Sequence, residues 1–259
     1  MIIQPLASGS KGNLTLIQTE NSKILIDQGL SAKQASFRLQ DAGHDPSDIQ
    51  AIFVTHEHGD HINGVRVFSK RYKVPVYINS NILHTAKEKK KFDEIKDIRT
   101  FYPGDNIEFK DLYFHPFSVS HDAIDTVNFI IKNKNRSVGI FTDLGYVNNI
   151  VKMNAKNLDL MILEANHDLN MLKNGEYPLE LQQRIKSKFG HLSNEQSVNF
   201  LIEILKHNKI TNVVLAHLSE KNNDPNLTID YFLEKLEKTN NSVNLTIAKQ
   251  HQITKSFEI

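Results

Sequence analysis

Short apolar runs recur along the whole chain and alternate with polar segments that have helical spacing. A run of four to eight apolar or β-branched residues is typical of a strand, whereas a period near 3.6 is typical of an amphipathic helix. In the first part of the chain this pattern predicts strands at residues 2 to 6, 14 to 18, 23 to 27, 50 to 54 and 74 to 78, and helices at 31 to 42, 63 to 72 and 82 to 92.

The rest of the chain first changes to closely spaced strands and then alternates. The pattern predicts strands at 112 to 119, 126 to 132 and 137 to 142 with a hairpin turn at 133 to 135, then a strand at 158 to 163, helices at 179 to 188 and 193 to 207, a strand at 211 to 216, a helix at 228 to 238 and two short closing strands. Such an order predicts an α/β protein in which two sheets pack face to face with helices outside. No Pro/Gly/Ser-rich linker divides the chain, so we expect a single domain over residues 1 to 259.

One short segment contains several candidate metal-binding residues. The sequence HEHGDH at positions 56 to 61 places three imidazoles and a carboxylate, at His56, His58, Asp60 and His61, directly after the predicted strand at 50 to 54. Imidazole nitrogens and carboxylate oxygens are ligands for divalent metals, and a loop that leaves a strand end can turn several of them toward one point. Gly59 disfavours a helix within this segment. The segment therefore predicts a loop that serves one or two metal ions.

The amino-acid composition limits which metal ligands and reactions are possible. The chain has 259 residues, of which 39% are hydrophobic, and it contains no cysteine. Disulfides, cysteine-ligated zinc and thiol catalysis are therefore excluded, and nitrogen and oxygen ligands are compatible with Zn²⁺, Mn²⁺ and Fe²⁺. The formal net charge of +1 gives no global basic field, which leaves a local basic patch open. The lysine-rich run at 87 to 91 indicates a solvated helix face more than a phosphate-binding patch.

The expected cellular setting follows from two further observations. The first residues lack a basic segment followed by an apolar one, and no apolar run approaches 18 residues. We therefore expect a soluble, cytoplasmic protein that does not contact a membrane.

Other candidate residues lie at the ends of predicted strands. Asp27 ends an apolar strand, and a buried carboxylate there could orient a metal-bound imidazole. His121 and Asp143 follow two strands, and His217 follows another directly. A lone histidine is more often an ordinary polar residue, so only the segment at 56 to 61 makes His121 and His217 candidate ligands. His167 competes with His217 for the final ligand position.

The sequence SGSKGN at positions 8 to 13 is a glycine-containing loop between two predicted strands. Its backbone N–H groups could cradle an anion, although a simple turn would have the same sequence. Ser8 and Asn13 are therefore candidate substrate-binding residues, with the two interpretations open.

The order His56-x-His58-x-Asp60-His61, followed by His121, Asp143 and His217, resembles the metallo-β-lactamase superfamily over essentially the whole chain. Within it, the segments at 8 to 13, GHLSNE at 190 to 195 and AHLSEKNN at 216 to 223 are most similar to the YycJ/WalJ-like single-domain metallohydrolases, which are regarded as nucleases. The resemblance implies a four-layer αβ/βα sandwich with the metals at one edge between the sheets.

The resemblance also implies roles for individual residues. It implies two divalent metal ions per chain, one held by His56, His58 and His121, the other by Asp60, His61 and His217, with Asp143 between them. A hydroxide that bridges the two ions would attack the substrate, because such ions lower the pKa of bound water toward about 7. Asp60 would both bind metal and orient this hydroxide.

A histidine in a Gly-His segment of ribonuclease Z is thought to assist the departing oxygen, and His191 looks like its counterpart. His191 precedes Ser193 and Gln196, which predict a capping pair at the start of a helix. Ser193, together with Ser219 and Asn222 beyond the last ligand, would offer hydrogen-bond donors to a phosphate. A histidine that only packs at the helix start is the alternative for His191, and His191 also competes with His217 as a ligand.

Departures from other superfamily members narrow the expected function. His58 stands where the flavin-linked di-iron members have glutamate, so redox chemistry is disfavoured. The interval from His121 to Asp143 is too short for the substrate-gripping arm of ribonuclease Z, and that from Asp143 to His217 is too short for the inserted domain of ribonuclease J.

The sequence thus predicts a metal-dependent, exonuclease-type nuclease acting on DNA or RNA. A hydrolase of small substrates, such as a phosphodiester, lactone or thioester, is the alternative. A non-catalytic nucleic-acid-binding or scaffolding protein is disfavoured, because every expected ligand position is filled.

Overall fold

The computed structural model describes residues 1–206, 210–239 and 243–259, and of residues 86 and 87 only the backbone. The strands are β1 Ile2–Ala7, β2 Leu14–Gln18, β3 Lys23–Ile26, β4 Ala51–Phe53, β5 Val76–Asn79, β6 Ile98–Phe101, β7 Ile107–Phe109, β8 Leu112–Ser118, β9 Val127–Asn133, β10 Arg136–Phe141, β11 Leu160–Glu164, β12 Asn212–Ala216, β13 Asn244–Ile247 and β14 Phe257–Glu258. The α-helices are α1 Ala32–Asp41, α2 Gly59–Ile62, α3 Val65–Tyr72, α4 Ser80–Leu83, α5 Ala86–Lys89, α6 Asn149–Asn154, α7 Leu169–Asn174, α8 Leu179–Lys186, α9 Asn194–Leu205 and α10 Pro225–Glu237.

The strands form two seven-stranded mixed sheets. The first has the order β14-β1-β2-β3-β4-β5-β6 and the second β13-β12-β11-β10-β9-β8-β7. In the first sheet β1, β2 and β3 are antiparallel and β3 to β6 are parallel. The second sheet repeats this plan, because β7 to β10 are antiparallel and β10 to β13 are parallel. Since parallel neighbours need crossover connections, helices lie between the parallel strands.

Three apolar clusters fill the spaces between the layers. The central cluster joins side chains of both sheets, including Phe53 of β4 and Phe114 of β8. One outer cluster joins the first sheet to α1 and α3, and the other joins the second sheet to α9 and α10. The predicted four-layer αβ/βα sandwich is therefore confirmed.

The segment at 56 to 61 is partly helical, which corrects the expectation of a loop. His58 is the N-cap of α2, and Gly59 is the first helical residue. A glycine in the first turn interrupts no established helix, so its low helix propensity does not prevent this short turn. As a result Asp60 and His61 project from a helical turn, whereas His56 and His58 precede it.

The predicted helix at 82 to 92 is three shorter pieces: α4, α5 and a 3₁₀ turn at Lys90–Phe92. The Asn79 side chain accepts a hydrogen bond from the backbone N–H of Asn81 and starts α4 early. Thr85 has an extended backbone and separates α4 from α5. In the lysine-rich run Glu88 is buried, and the Lys91 ammonium binds both Glu88 and the backbone oxygen of Glu57. That face therefore supports the ligand loop in addition to contacting solvent.

Other boundaries differ by a few residues. The helix predicted at 193 to 207 is α9, and position 207 lies outside the described residues. The hairpin turn at 133 to 135 is confirmed, with Lys134 in the left-handed conformation. Two short helices, α6 and α7, were not predicted, because each has only about one turn of periodic sequence. Within the described residues, no helix is long and apolar enough to cross a membrane.

We predict that Phe114→Ala lowers the free energy of unfolding by about 3–5 kcal/mol, since it removes a buried ring from the central cluster. Phe114 is 1% exposed, and its ring stacks on that of Phe53 with centroids 3.9 Å apart. Tyr113, its neighbour on β8, is 51% exposed on the opposite face. Tyr113→Ala should therefore change stability by only about 0.5 kcal/mol. Urea denaturation of both variants measures the difference, and equal losses would contradict this account of the core.

Candidate metal centre

The predicted ligands come from four strand ends that meet at one edge of the two sheets. The segment at 56 to 61 follows β4, and His121 follows β8. Asp143 follows β10, and His217 comes directly after β12. Because β10, β11 and β12 are parallel neighbours, their carboxyl ends lie side by side and bring distant residues together.

Three acidic or basic residues that follow strands near the cluster have left-handed backbone conformations. The φ angles are +58° at Asp27, +53° at Asp143 and +55° at His217. Each such conformation costs of order 1–3 kcal/mol for a residue other than glycine and persists only where the surroundings hold it. The N–H of His217, for example, donates to Ser8 Oγ at 2.8 Å. The fold therefore maintains local strain where the candidate ligands lie.

All seven predicted metal ligands lie within one cluster. In each of three overlapping groups, the potential ligand atoms lie within 4.8 Å of one another. These three groups are His56, His58 and His121; Asp60, His61 and His217; and His56, His61 and Asp143, and a fourth group contains Asp143, Glu164, His191 and His217. Asp143 therefore lies next to members of the other two groups, as a residue between two ions would.

The imidazoles are oriented as metal ligands would be. His56 Nδ1 lies 3.0 Å from Thr55 Oγ1, and His121 Nδ1 lies 3.1 Å from the backbone oxygen of Gly190. The Nε2 atoms of His56 and His121 are buried and, within the described part of the chain, have no hydrogen-bond partner. An unpaired buried nitrogen is costly unless something else satisfies it. These residues therefore fit a divalent cation.

Asp27 holds the segment that contains the ligands. Its Oδ1 accepts from the Thr55 backbone N–H at 2.8 Å, and its Oδ2 lies 2.7 Å from His61 Nδ1. This contact fixes the His61 ring and leaves Nε2 for the cluster, as carboxylates behind metal-bound histidines do. The predicted orienting role of Asp27 agrees with this geometry.

The buried charges of the cluster depend on one another. Burial by itself lowers the pKa of His61, but the carboxylates of Asp143, Asp27 and Asp60 raise it well above its ordinary value. Burial likewise opposes ionisation of Asp143, whereas His217 and His61 hold the pKa of this carboxyl well below its ordinary value. Imidazolium ions thus compensate the carboxylates, and a dication would displace those protons.

Glu164, the last residue of β11, was not among the predicted site residues. Its carboxylate is fully buried, lies 2.7 Å from His191 Nδ1 and 3.2 Å from His217 Nδ1, and accepts from the N–H groups of Leu144 and Leu192. These contacts orient both histidines. The signal was available, because Glu164, like Asp27, is a carboxylate at the end of an apolar strand.

The three histidines that competed for the last ligand position have different surroundings. His217 belongs both to the group with Asp60 and His61 and to the fourth group, whereas His191 belongs only to the fourth. His167 belongs to none of the groups found among the described residues. Burial lowers the pKa of His167 to about 4, so this ring is neutral near pH 7. The geometry therefore favours His217.

An open cleft of about 290 Å³ leads to the cluster. Its lining includes His58, Asp60, His121, Asp143, His191 and His217. The polar groups of the metal cluster are therefore accessible to a substrate.

Of the five predicted substrate-binding residues, only Ser219 lines this cleft. Ser8 binds the N–H of His217, and Ser193 is buried as the cap of α9, where its predicted pairing with Gln196 is present. Asn222 is buried behind Ser219. Ser8, Ser193 and Asn222 therefore support neighbouring parts of the protein, in place of the direct contact with substrate that the sequence predicted.

Asn13 and its loop also support the cluster. The N–H of Asn13 donates to the backbone oxygen of Asp60 at 2.7 Å, and its Nδ2 lies 3.0 Å from His61 Nε2. The N–H groups of Gly9, Lys11 and Gly12 bind other protein atoms. These donors are occupied, which favours the simple-turn interpretation of the loop.

Comparison with known proteins agrees with this fold. Residues 22–218 match the family described as the beta-lactamase superfamily domain, and the chain belongs to this superfamily of metal-dependent hydrolases. The fold resembles that of YhfI from Bacillus subtilis, with a TM-score of 0.74, 16% identity and coverage of 98% of this chain and 99% of that one. It also resembles Zn²⁺-bound PqqB from Methylobacterium extorquens, with a TM-score of 0.74, 15% identity and full coverage of both chains.

Within the superfamily, the chain belongs with a group of named nucleases. It is 36% identical over 220 residues to exodeoxyribonuclease WalJ of Streptococcus pneumoniae serotype 2, covering 84% of this chain and 81% of that one. It is also 36% identical over 223 residues to exodeoxyribonuclease YycJ of Bacillus anthracis, covering 84% and 82%. The family expected from the sequence is confirmed.

We predict that His217→Gln lowers the bound metal by about one ion per chain, because a ligand of the second group is lost. His167→Gln should leave the metal content at the wild-type level, since this ring lies outside the ligand groups. Elemental analysis of washed protein measures both, with circular dichroism to verify the fold. Metal loss in His167→Gln alone would reverse the assignment.

Proposed function

We propose that this protein is an exodeoxyribonuclease that uses two divalent metal ions to hydrolyse phosphodiester bonds. The observation that carries the proposal is the pair of ligand groups joined by Asp143 at the base of an open cleft. The names of the relatives that are 36% identical support DNA as the substrate. Zn²⁺ and Mn²⁺ are the proposed ions, with Fe²⁺ as a further candidate for these nitrogen and oxygen ligands.

The ligand groups define two proposed ion positions. His56, His58 and His121 would hold one ion, Asp60, His61 and His217 the other, with Asp143 between them. Such ions, when bound, polarise a phosphate and lower the pKa of a coordinated water toward about 7. The protein contributes fixed ligand positions, because hydrogen bonds from behind orient the imidazoles.

Asp60, which lines the cleft, has a second proposed role. Burial opposes its ionisation, but His61 and His217 hold the pKa of its carboxyl below the ordinary value. It is therefore a carboxylate near pH 7 and can accept a hydrogen bond from the attacking water. Such an acceptor fixes the direction of attack.

His191 is the proposed acid for the departing oxygen. It lines the cleft, and its Nδ1 lies 2.7 Å from Glu164 Oε1. Burial by itself lowers the pKa of His191, but the Glu164 carboxylate raises it above the ordinary value. The raised pKa favours the protonated ring despite its place before a helix N-terminus, and Nε2 can then donate the proton.

The activity test uses wild-type protein reconstituted with Mn²⁺ or Zn²⁺ and end-labelled single- and double-stranded DNA, RNA and bis(p-nitrophenyl) phosphate. We expect stepwise shortening of DNA from an end. Asp60→Asn should lose most turnover, and Asp143→Asn should lose bound metal as well, whereas exposed Asp45→Asn is the control. Hydrolysis of the small ester without any degradation of nucleic acid would instead favour a small-molecule phosphodiesterase.

We predict that His191→Ala lowers turnover on DNA by about 10²- to 10⁴-fold at unchanged metal content, because the general acid is lost. The loss should be smaller on a p-nitrophenyl ester, whose leaving group needs little protonation. His84→Ala, which changes an exposed histidine, is the matched control. Equal losses on both substrates would refute the acid role, and loss of metal would identify His191 as a ligand.

A further inference from the structure

One wall of the cleft is formed by α8 and the segment before it. Tyr177, Leu181, Arg184 and Ile185 line the cavity on this side. Among the described lining residues, Arg184 is the sole lysine or arginine. A cleft that accepts a polyanion therefore has one permanently charged cationic side chain besides its histidines.

The backbone near Arg184 is fixed beside His191. The N–H of His191 donates to the backbone oxygen of Ile185 at 2.9 Å. A Cβ atom on Gly190 would lie 2.0 Å from the backbone oxygen of Ile185 and 2.4 Å from that of Arg184, so only glycine permits this approach. The end of α8 therefore has a defined position relative to the proposed acid.

The guanidinium group is joined to the first ligand group through one carboxylate. Arg184 Nε donates to Asp122 Oδ2 at 2.5 Å, and Arg184 Nη2 contacts the same oxygen. The other oxygen, Oδ1, lies 3.4 Å from His121 Nε2 and 3.9 Å from His58 Nε2. Arg184 is thus linked through one carboxylate to two predicted metal ligands, His121 and His58.

The guanidinium group of Arg184 can bind another anion in addition to Asp122. Its side chain is 62% exposed, and within the described part of the chain its Nη1 makes no hydrogen bond. An ion pair with an exposed side chain contributes little to stability, so a phosphate can share or displace Asp122. A guanidinium group can bind phosphate oxygens through two parallel N–H groups.

We propose that Arg184 binds the phosphate next to the scissile one in a nucleic-acid strand. This contact would distinguish a strand, which has a second phosphate, from a small phosphodiester, which has none. The inference rests on the proposed nuclease function and adds a substrate-binding residue to it. Phosphate contacts of this kind fix the position of a strand without reading its bases.

The first experiment separates a strand from a small ester. Arg184→Ala should raise KM for single-stranded DNA by about 10- to 100-fold, as expected for a charge-assisted hydrogen-bonded contact, with kcat nearly unchanged. KM for bis(p-nitrophenyl) phosphate should stay at the wild-type value. Arg184→Lys should be intermediate, because it keeps the charge but loses the paired donors. Lys186→Ala removes an exposed cation from the same helix and is the matched control.

The second experiment changes the substrate. DNA strands that have one neutral methylphosphonate linkage at successive positions beyond the scissile bond are compared with natural DNA. At the adjacent position the wild-type enzyme should lose about as much as Arg184→Ala loses on natural DNA, and the variant should lose little more. Such non-additivity identifies a direct contact between the two groups.

The outcomes distinguish this inference from the proposed function. If wild-type protein degrades DNA and every methylphosphonate position is additive with Arg184→Ala, the inference is wrong and the nuclease function stands. Equal losses on DNA and the small ester would mean that Arg184 acts on the metal centre through Asp122, which also overturns it. If wild-type protein hydrolyses only the small ester, both proposals fail.

Discussion

The pairing of buried carboxylates with buried imidazoles is the interaction on which this site depends. Asp27, Asp143 and Glu164 each lie at the end of a strand and are almost inaccessible to solvent. A buried charge without a partner is strongly unfavourable, and removal of one member of such a pair typically costs about 3–5 kcal/mol. Histidine rings lie within ion-pair distance of all three carboxylates and compensate their charge.

This constraint explains why the architecture suits the site. A sandwich of two mixed sheets brings the carboxyl ends of several strands to one edge, and an apolar cluster between the sheets fixes their separation. Left-handed backbone at Asp143 and His217 turns these side chains into the shared space at some cost in stability. The packing of the sheets supplies the stability that offsets this strain.

Carboxylates at different positions in the site have different roles. Asp27 holds a ligand ring from behind, whereas Glu164 contacts both a candidate ligand, His217, and the proposed acid, His191. Asp122 lies farther out, between the first ligand group and Arg184. Buried or partly buried acids therefore extend from the candidate metal centre to the mouth of the cleft, and each controls the orientation or charge of a neighbouring base.

The sequence by itself indicated the fold class through apolar periodicity and the first four candidate ligands through a rare dense run of histidines after a strand, whereas the resemblance to the superfamily implied His121, Asp143 and His217. The alternation of strands and helices predicted two packed sheets with helices outside, and the resemblance implied the four-layer sandwich. The alternation was insufficient for the helical turn at Gly59–Ile62 and the division of the helix after Asn79, since short helices depend on caps and local contacts more than on periodicity.

Tertiary structure alone decided which polar residues face the cleft. Ser8, Asn13, Ser193 and Asn222 have the side chains of phosphate-binding residues, yet their hydrogen bonds go to ligand segments, a helix cap and neighbouring side chains. Glu164 and Arg184 approach the cluster from β11 and α8, far along the chain from the main motif. Hydrogen-bond partners separated by many residues are set by how sheets and helices pack, and a one-dimensional pattern does not contain that information.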